Sequence, residues 1–176
     1  PWIQNGGDRV LRIMLFYLAL SPCGRAWSVD AWLMRRSGRT PEPDAPILSI
    51  RLIQLQLCVM YTATGIEKLA GHTWHDGTAI YYTLMNPYNR HFAAATLWAK
   101  LQPWVLRPAT FATVYWEVAF PIFCVGNWIR EARPEASWPR DWRWLFLGFG
   151  VLMHGGVQIL LYTVAFSPLV LATYFA

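Results

Sequence analysis

The segment Ile47–Ala70, ILSIRLIQLQLCVMYTATGIEKLA, admits few folds. It is mostly apolar, long enough to cross a bilayer as a helix, and ends on the charged pair Glu67-Lys68. Within it Arg51, Gln54, Cys58, Tyr61, Gly65 and Lys68 recur at intervals of 3 and 4, one stripe of an α-helix. The other faces are mostly Leu, Ile, Val, Met and Ala. Ionisable groups are costly in hydrocarbon, so such a stripe turns toward protein or a wet cavity rather than lipid.

The rest of the chain follows the same pattern. Charged residues make up 14% of it, against about a quarter in soluble domains. Hydrophobic residues make up 55%, mean hydropathy is +0.26, and 11 Trp and 8 Tyr can supply aromatic belts at two membrane interfaces. These values predict an all-α, polytopic integral membrane helical bundle with short interfacial or re-entrant helices. Apolar runs place helices at about 8–20, 47–70, 109–129 and 144–162, the third carrying Pro121 as a candidate kink. Trp27–Met34 reads as a short interfacial helix. Segment 77–101 holds two apolar pieces, Ala79–Met85 and Phe92–Trp98, split by a polar turn around Pro87; neither can span, so they read as two short helices lying on, or dipping into, one membrane face. Pro168 breaks the last apolar run, leaving a short helix at 168–176. A start on Pro1 and a stop inside an apolar run read as an internal portion of a longer single membrane domain covering 1–176.

Charge placement orients this layout. The net charge is +5, and apart from Lys68 and Lys100 every basic residue is arginine. The arginines gather in the gaps between apolar runs and form no continuous basic stripe, which argues for lipid headgroups and topology and against nucleic acid. With 77–101 not crossing, helices 47–70 and 109–129 form one hairpin. The arginine-rich loops 21–46 and 130–143 then share a side, which the positive-inside rule makes cytoplasmic. Lys68, His72, Trp74, His75 and Asp76 fall on the opposite face.

No nucleophile elbow, phosphate-binding loop, zinc-protease, calcium-loop or dinucleotide motif is present. Cys23, Cys58 and Cys124 lack metal spacing, and His72 and His75 read as a solvated pair, so no metal site is assigned. Lys68 has two readings. Its stem can lie along apolar surface while the amine reaches the headgroups, or partial burial can make it a general base. Glu117 sits mid-membrane in VYWEVAF and must be protonated or paired, with Lys68, Arg51 or His154 as candidate partners. His154 precedes Gly155-Gly156, which suggests either close helix packing or a pocket-lining acid/base. Arg51, Gln54 and Tyr61 on the stripe, Trp74 beyond it, and Gln158 one turn from His154 are candidate substrate-binding residues.

The residues Trp27-Ser28-Val29-Asp30, Arg51-x-x-Gln54, Tyr61-Thr62-Ala63-Thr64-Gly65-Ile66-Glu67-Lys68-Leu69 and Trp74-x-x-Gly77 resemble the horizontally transferred transmembrane (HTTM) domain shared with vitamin K-dependent gamma-carboxylases. The G-[IV]-x-K-L…W-x-x-G core is the most specific part. The His154 helix and the Ser167-Pro168 break are also similar to the family. The resemblance implies that Lys68 is the base that deprotonates a vitamin K-type quinol. Oxygen then turns the quinol into an epoxide through a strongly basic alkoxide, which draws a glutamate γ-proton so that carbon dioxide can add. It also implies a bacterial inner-membrane location. Asn5-Gly6-Gly7-Asp8 stands where the animal carboxylases carry an Asn-His pair, and no segment matches their propeptide-binding lumenal domain. A reading of a different class makes the chain a non-catalytic subunit of a larger membrane complex, its stripe bonding only to neighbouring helices. No internal repeat or pair of broken helices favours a transporter.

Overall fold

The computed structural model describes residues 6–21, 28–39, 48–135, 142–161 and 166–173. Those residues are helical apart from connections and one isolated bridge between Arg90 and Leu161. The elements in order are α1 (Gly6–Ala19), α2 (Val29–Arg36), α3 (Leu48–Ala70), α4 (His72–His75) and α5 (Ala79–Met85). A 3-10 segment (Ala93–Leu101) and one π turn (Gln102–Leu106) follow, then α6 (Arg107–Ala132), α7 (Arg143–Leu160) and α8 (Phe166–Thr173). The fold class is therefore all-α. Helices occupy 6–19, 48–70, 107–132 and 143–160 where the apolar runs placed them at about 8–20, 47–70, 109–129 and 144–162; Ile47 and Tyr162 lie outside the described residues. Of the expected 27–34 and 168–176 helices, Trp27 and residues 174–176 lie outside the described residues, as does Asn5.

α3 and α6 form the spine, and they run antiparallel. Arg51 at the start of α3 meets Glu131 near the end of α6, and Lys68 at the end of α3 meets Glu117 in the first half of α6. Gly65 makes this seam tight, since a Cβ there would lie 3.0 Å from Val118 Cγ2 and 3.6 Å from the Glu117 Cβ. At about 1.5 Å per residue α3 is about 35 Å long, enough for a hydrocarbon core of about 30 Å. The main core joins Val10 and Met14 of α1, Ile53, Leu57 and Tyr61 of α3, Trp116 and Phe120 of α6, and Val170 of α8. Phe146, Phe149 and Met153 of α7 pack against it.

Everything between α3 and α6 caps one end of that hairpin. Leu84, Ala95 and Leu106 form a second small core there, closed by Leu160 and Leu161 from the end of α7, and the His91 N–H donates to the Leu160 carbonyl at 2.9 Å. The segment 77–101 thus starts and finishes at the Lys68 end, as the hairpin reading requires. One detail differs from expectation. The second apolar piece is a short helix of 3-10 type, and it runs through the π turn straight into α6 instead of ending before it. Pro103 and Pro108 fall in this stretch; proline lacks the N–H that a regular α ladder needs, and the irregular turns accommodate the loss. α6 itself continues through Pro121.

Gly77 anchors the cap. It has φ +71°, its carbonyl accepts from Gln102 Nε2 at 3.1 Å, and a Cβ would fall 2.4 Å from Arg107 Cγ and 3.0 Å from Phe111. Left-handed backbone and lack of space act together here. Gly77→Ala is expected to cost about 2 kcal/mol, read as a lower thermal unfolding midpoint of the purified protein, with α5 becoming the first segment to gain protease sensitivity.

Two helical runs combine the length and hydropathy needed to cross a membrane, Ala93–Ala132 and Arg143–Leu160. α3 has the length, but Arg51, Gln54, Gln56, Thr62 and Thr64 dilute its hydropathy, so it does not join them among the described residues.

Candidate functional site

The α3 stripe resolves into three polar layers along one seam. At the first, Arg51 donates to Gln54 Oε1 at 3.0 Å and to Glu131 Oε2 at 2.5 Å, and its guanidinium lies 5.5 Å from the Trp128 ring centroid. Trp128 Nε1 donates to Gln54 Oε1 at 2.7 Å, and Asn127 donates to the second Glu131 oxygen at 3.0 Å. This network ties the two helices at the arginine-rich end, with the Asn127 Oδ1 left buried and without a hydrogen-bond partner. Sequence reasoning placed Arg51 and Gln54 on the stripe but did not foresee Trp128 or Glu131, which lie on the far side of a loop-rich stretch.

The middle layer is the hydrogen bond between the Tyr61 hydroxyl and His154 Nε2, 2.7 Å long and buried, with Tyr61 2% and His154 3% exposed. Tyr61 lies edge-on to Trp116 at 4.9 Å and tilted against Phe120 at 4.5 Å. Trp116 donates its Nε1 to the Phe146 carbonyl at 3.0 Å and stacks on the Phe146 ring at 5.1 Å. α7 therefore delivers His154 to α3 instead of to Glu117. Gly155 and Gly156 do not create a close helix seam here, because a Cβ on either would meet nothing within 4 Å. The histidine is positioned by aromatic packing on its own side of α7. Gln158, one turn further, is half-buried.

The third layer holds Lys68. Its Nζ donates to both carboxylate oxygens of Glu117, at 2.7 Å and 2.9 Å, and the Thr64 hydroxyl lies 3.1 Å from both Glu117 Oε2 and the Met60 carbonyl, sharing its one proton between them. The Lys68 and Glu117 side chains are 20% and 9% exposed. Trp74, half-buried, sits with its ring centroid 5.2 Å from Nζ, a cation–π distance. Lys68 thus does not reach out to headgroups. It turns inward onto a carboxylate under an aromatic lid, while Glu67 faces outward. Thr64 is the member of this layer that sequence reasoning missed. Its one-turn offset from Lys68 was a usable signal, since residues four apart share a helix face.

The layers are spaced along α3, with His154 of the middle layer within electrostatic reach of the Lys68 ammonium. Seven residues separate Tyr61 from Lys68, about 10 Å along the helix, and seventeen separate Arg51 from Lys68, about 25 Å. Lys68, Glu117 and Trp74 come together. Tyr61 and His154 form a second group, and Arg51 with Gln54 a third at the opposite end. On the surface beyond Lys68, His72 pairs with Asp76 at 2.8 Å and His75 Nε2 contacts the Leu69 carbonyl, so both rings are engaged locally.

No family model and no solved structure match the chain. The chain is similar to the uncharacterized protein YitO of Bacillus subtilis (strain 168), with 27% identity over 174 residues, covering 94% of this chain and 50% of that protein. It therefore spans about half the length of the curated relative it matches.

Chemically, the Lys68 layer can hold and move a proton. The ammonium and the carboxylate are in direct contact at 2.7 Å and largely shielded from solvent, so a proton has a short path between them. A buried ion pair stabilises a fold weakly compared with an apolar contact of the same volume.

Proposed function

We propose that the chain is a membrane-embedded helical domain of the HTTM, vitamin K-dependent gamma-carboxylase-like type, in which Lys68 acts as a base on a quinol or lipid-like substrate at the non-cytoplasmic face. The membrane placement rests on what the apolar helices face. In the two runs long and apolar enough to cross, only 33% and 11% of the most apolar windows are buried. A core helix of a water-soluble protein would have these faces covered. Here Ile122, Leu145, Leu152 and Ile159 point outward, each more than half exposed, as lipid-facing side chains do. Trp104 and Tyr88 at the Lys68 end and Trp142 and Trp144 at the other are also exposed, the arrangement of two interfacial belts. The loops 21–46 and 130–143 are then cytoplasmic, in a bacterial inner membrane.

The observation that carries the catalytic reading is the Lys68–Glu117 pair beneath Trp74. Proton transfer from the Lys68 ammonium to Glu117 leaves a neutral amine and a protonated carboxyl. The amine then takes the hydroxyl proton of a quinol, which leaves as quinolate, and Lys68 is again an ammonium. Glu117 is the proton acceptor that primes the base, Thr64 orients its carboxylate, and Trp74 offers a flat apolar face to a ring. In the resemblance to the carboxylases, the quinolate then reacts with oxygen to form the epoxide.

A second reading is favoured by the completeness of the polar contacts, because each of Arg51, Gln54, Tyr61 and Lys68 has a partner within the hairpin or on α7. On that reading the stripe only fastens helices, and the domain is a non-catalytic subunit of a larger membrane assembly. Aerobic epoxidation of a vitamin K-type quinol by the purified protein separates the two. The base reading expects epoxide from wild type, loss of at least two orders of magnitude in Lys68→Ala, and no recovery in the charge swap K68E/E117K. A protein in which the swap restores wild-type stability and no variant differs in epoxide formation is a clamp, and the base reading fails.

A further inference from the structure

Helix register brings the two described cysteines face to face. Arg51 meets Glu131 and Gln54 meets Trp128, so three residues forward on α3 match three back on α6. Four more in each direction arrive at Cys58 and Cys124. Seven more residues in each direction arrive at Gly65 and Glu117, where a Cβ on Gly65 would lie 3.6 Å from the Glu117 Cβ, so the alignment holds on both sides of the cysteines. Both thiols are free and buried, 8% and 7% exposed, and both belong to the main core. Helices packed about 8–10 Å apart leave directly facing Cα atoms about 3.5–5.5 Å apart, which overlaps the separation of about 4.4–6.8 Å that a disulfide spans. Small core fillers on two helices have no need to coincide at one level, yet these do, midway along the seam that carries all three polar layers.

We propose that Cys58 and Cys124 are a redox pair that closes to a disulfide across the α3–α6 seam, with a bilayer-soluble quinone as electron acceptor. Two S–H bonds break and one S–S bond forms. The two electrons and two protons pass to the quinone, which leaves as quinol. Cys58 lies about 15 Å from the start of α3, half-way through a hydrocarbon core of about 30 Å. A water-soluble oxidant is excluded there, whereas a quinone is soluble in that layer. The disulfide fixes α3 against α6 and holds Lys68 and Glu117 in register, and the dithiol leaves the seam free to part. This inference rests on the membrane placement proposed above but not on Lys68 chemistry, and its test does not involve epoxidation.

The test uses the full chain carrying Cys23→Ala, reconstituted in phosphatidylcholine vesicles without oxygen and treated with a short-chain quinone or with ferricyanide. Intact mass and peptide mapping after denaturing alkylation read the product. The expected result is a loss of two hydrogen atoms in mass, one quinol formed per chain, a peptide linking Cys58 to Cys124, and slow or no reaction with ferricyanide. Cys58→Ala and Cys124→Ala should each abolish quinol formation. Full alkylation of both thiols after either oxidant overturns the pair itself. A disulfide formed as readily by ferricyanide as by quinone overturns the membrane burial of the seam. Because the mapping is done on the native pair, the result does not depend on how well either alanine variant folds.

Discussion

Glu117→Ala should be one of the two most damaging single substitutions in the chain. It leaves the Lys68 ammonium 20% exposed under Trp74 with no carboxylate. Breaking a buried pair from one side costs about 3–5 kcal/mol, because an uncompensated charge remains; the residual exposure of Lys68 puts this case near the lower figure. Lys68→Ala should cost less, since Glu117 keeps the Thr64 hydrogen bond and can take up a proton. Removing both charges together, as Lys68→Met with Glu117→Leu, should be close to neutral, because apolar pairs of similar volume replace buried ion pairs without loss. Denaturant unfolding in micelles, followed by tryptophan fluorescence, gives all three values and closes a double-mutant cycle. A coupling near zero would mean the pair does not hold in solution, removing the proton-sharing that the proposed mechanism needs. A large coupling together with unchanged quinol chemistry in Lys68→Met/Glu117→Leu would leave the clamp reading standing alone.

Which contacts could be read from the sequence follows from the range of each interaction. The stripe Arg51–Gln54–Tyr61–Lys68 was visible because helical spacing is local, and its inward direction followed from the cost of charge in hydrocarbon. Glu117 was recognisable as needing a partner, and Lys68 was one of three candidates. The choice among them depends on the antiparallel offset of α3 and α6, which no local pattern encodes. The same offset hid Glu131 and Trp128 behind Arg51 and Gln54. His154 was read beside its glycines, yet its partner is Tyr61, ninety-three residues away. Gly65 and Gly77 carry close approaches that Gly155 and Gly156 do not, and only the packing distinguishes them. The 3-10 and π turns over 93–106 were missed because Pro103 and Pro108 disturb a segment whose apolar period is ambiguous at that length. Composition did better on the coarse question, since outward-facing apolar residues on α6 and α7 are what low charge and high hydropathy lead one to expect.

Tyr61→Ala should be comparably severe, and comparing it with Tyr61→Phe shows what the middle layer does. Tyr61 is 2% exposed and fills the space among Trp116, Phe120 and His154. Truncating a buried aromatic costs about 3–5 kcal/mol through lost transfer energy and the cavity left behind. Tyr61→Phe keeps the ring and removes only the hydroxyl, so the loss should be about 1–2 kcal/mol, that of a buried hydrogen bond whose histidine partner stays behind. The difference between the variants is then packing, and the Phe value alone measures the bond to His154. If Tyr61→Phe proves as costly as Tyr61→Ala, the hydroxyl organises the aromatic cluster and α7 is held by chemistry rather than by shape. If Tyr61→Phe is stable but loses epoxide formation while Glu117 and Lys68 are intact, the Tyr61–His154 pair belongs to the proton path about 10 Å below Lys68. Stability with full activity makes His154 a core histidine, and the acid/base inventory of the domain then reduces to Lys68 and Glu117.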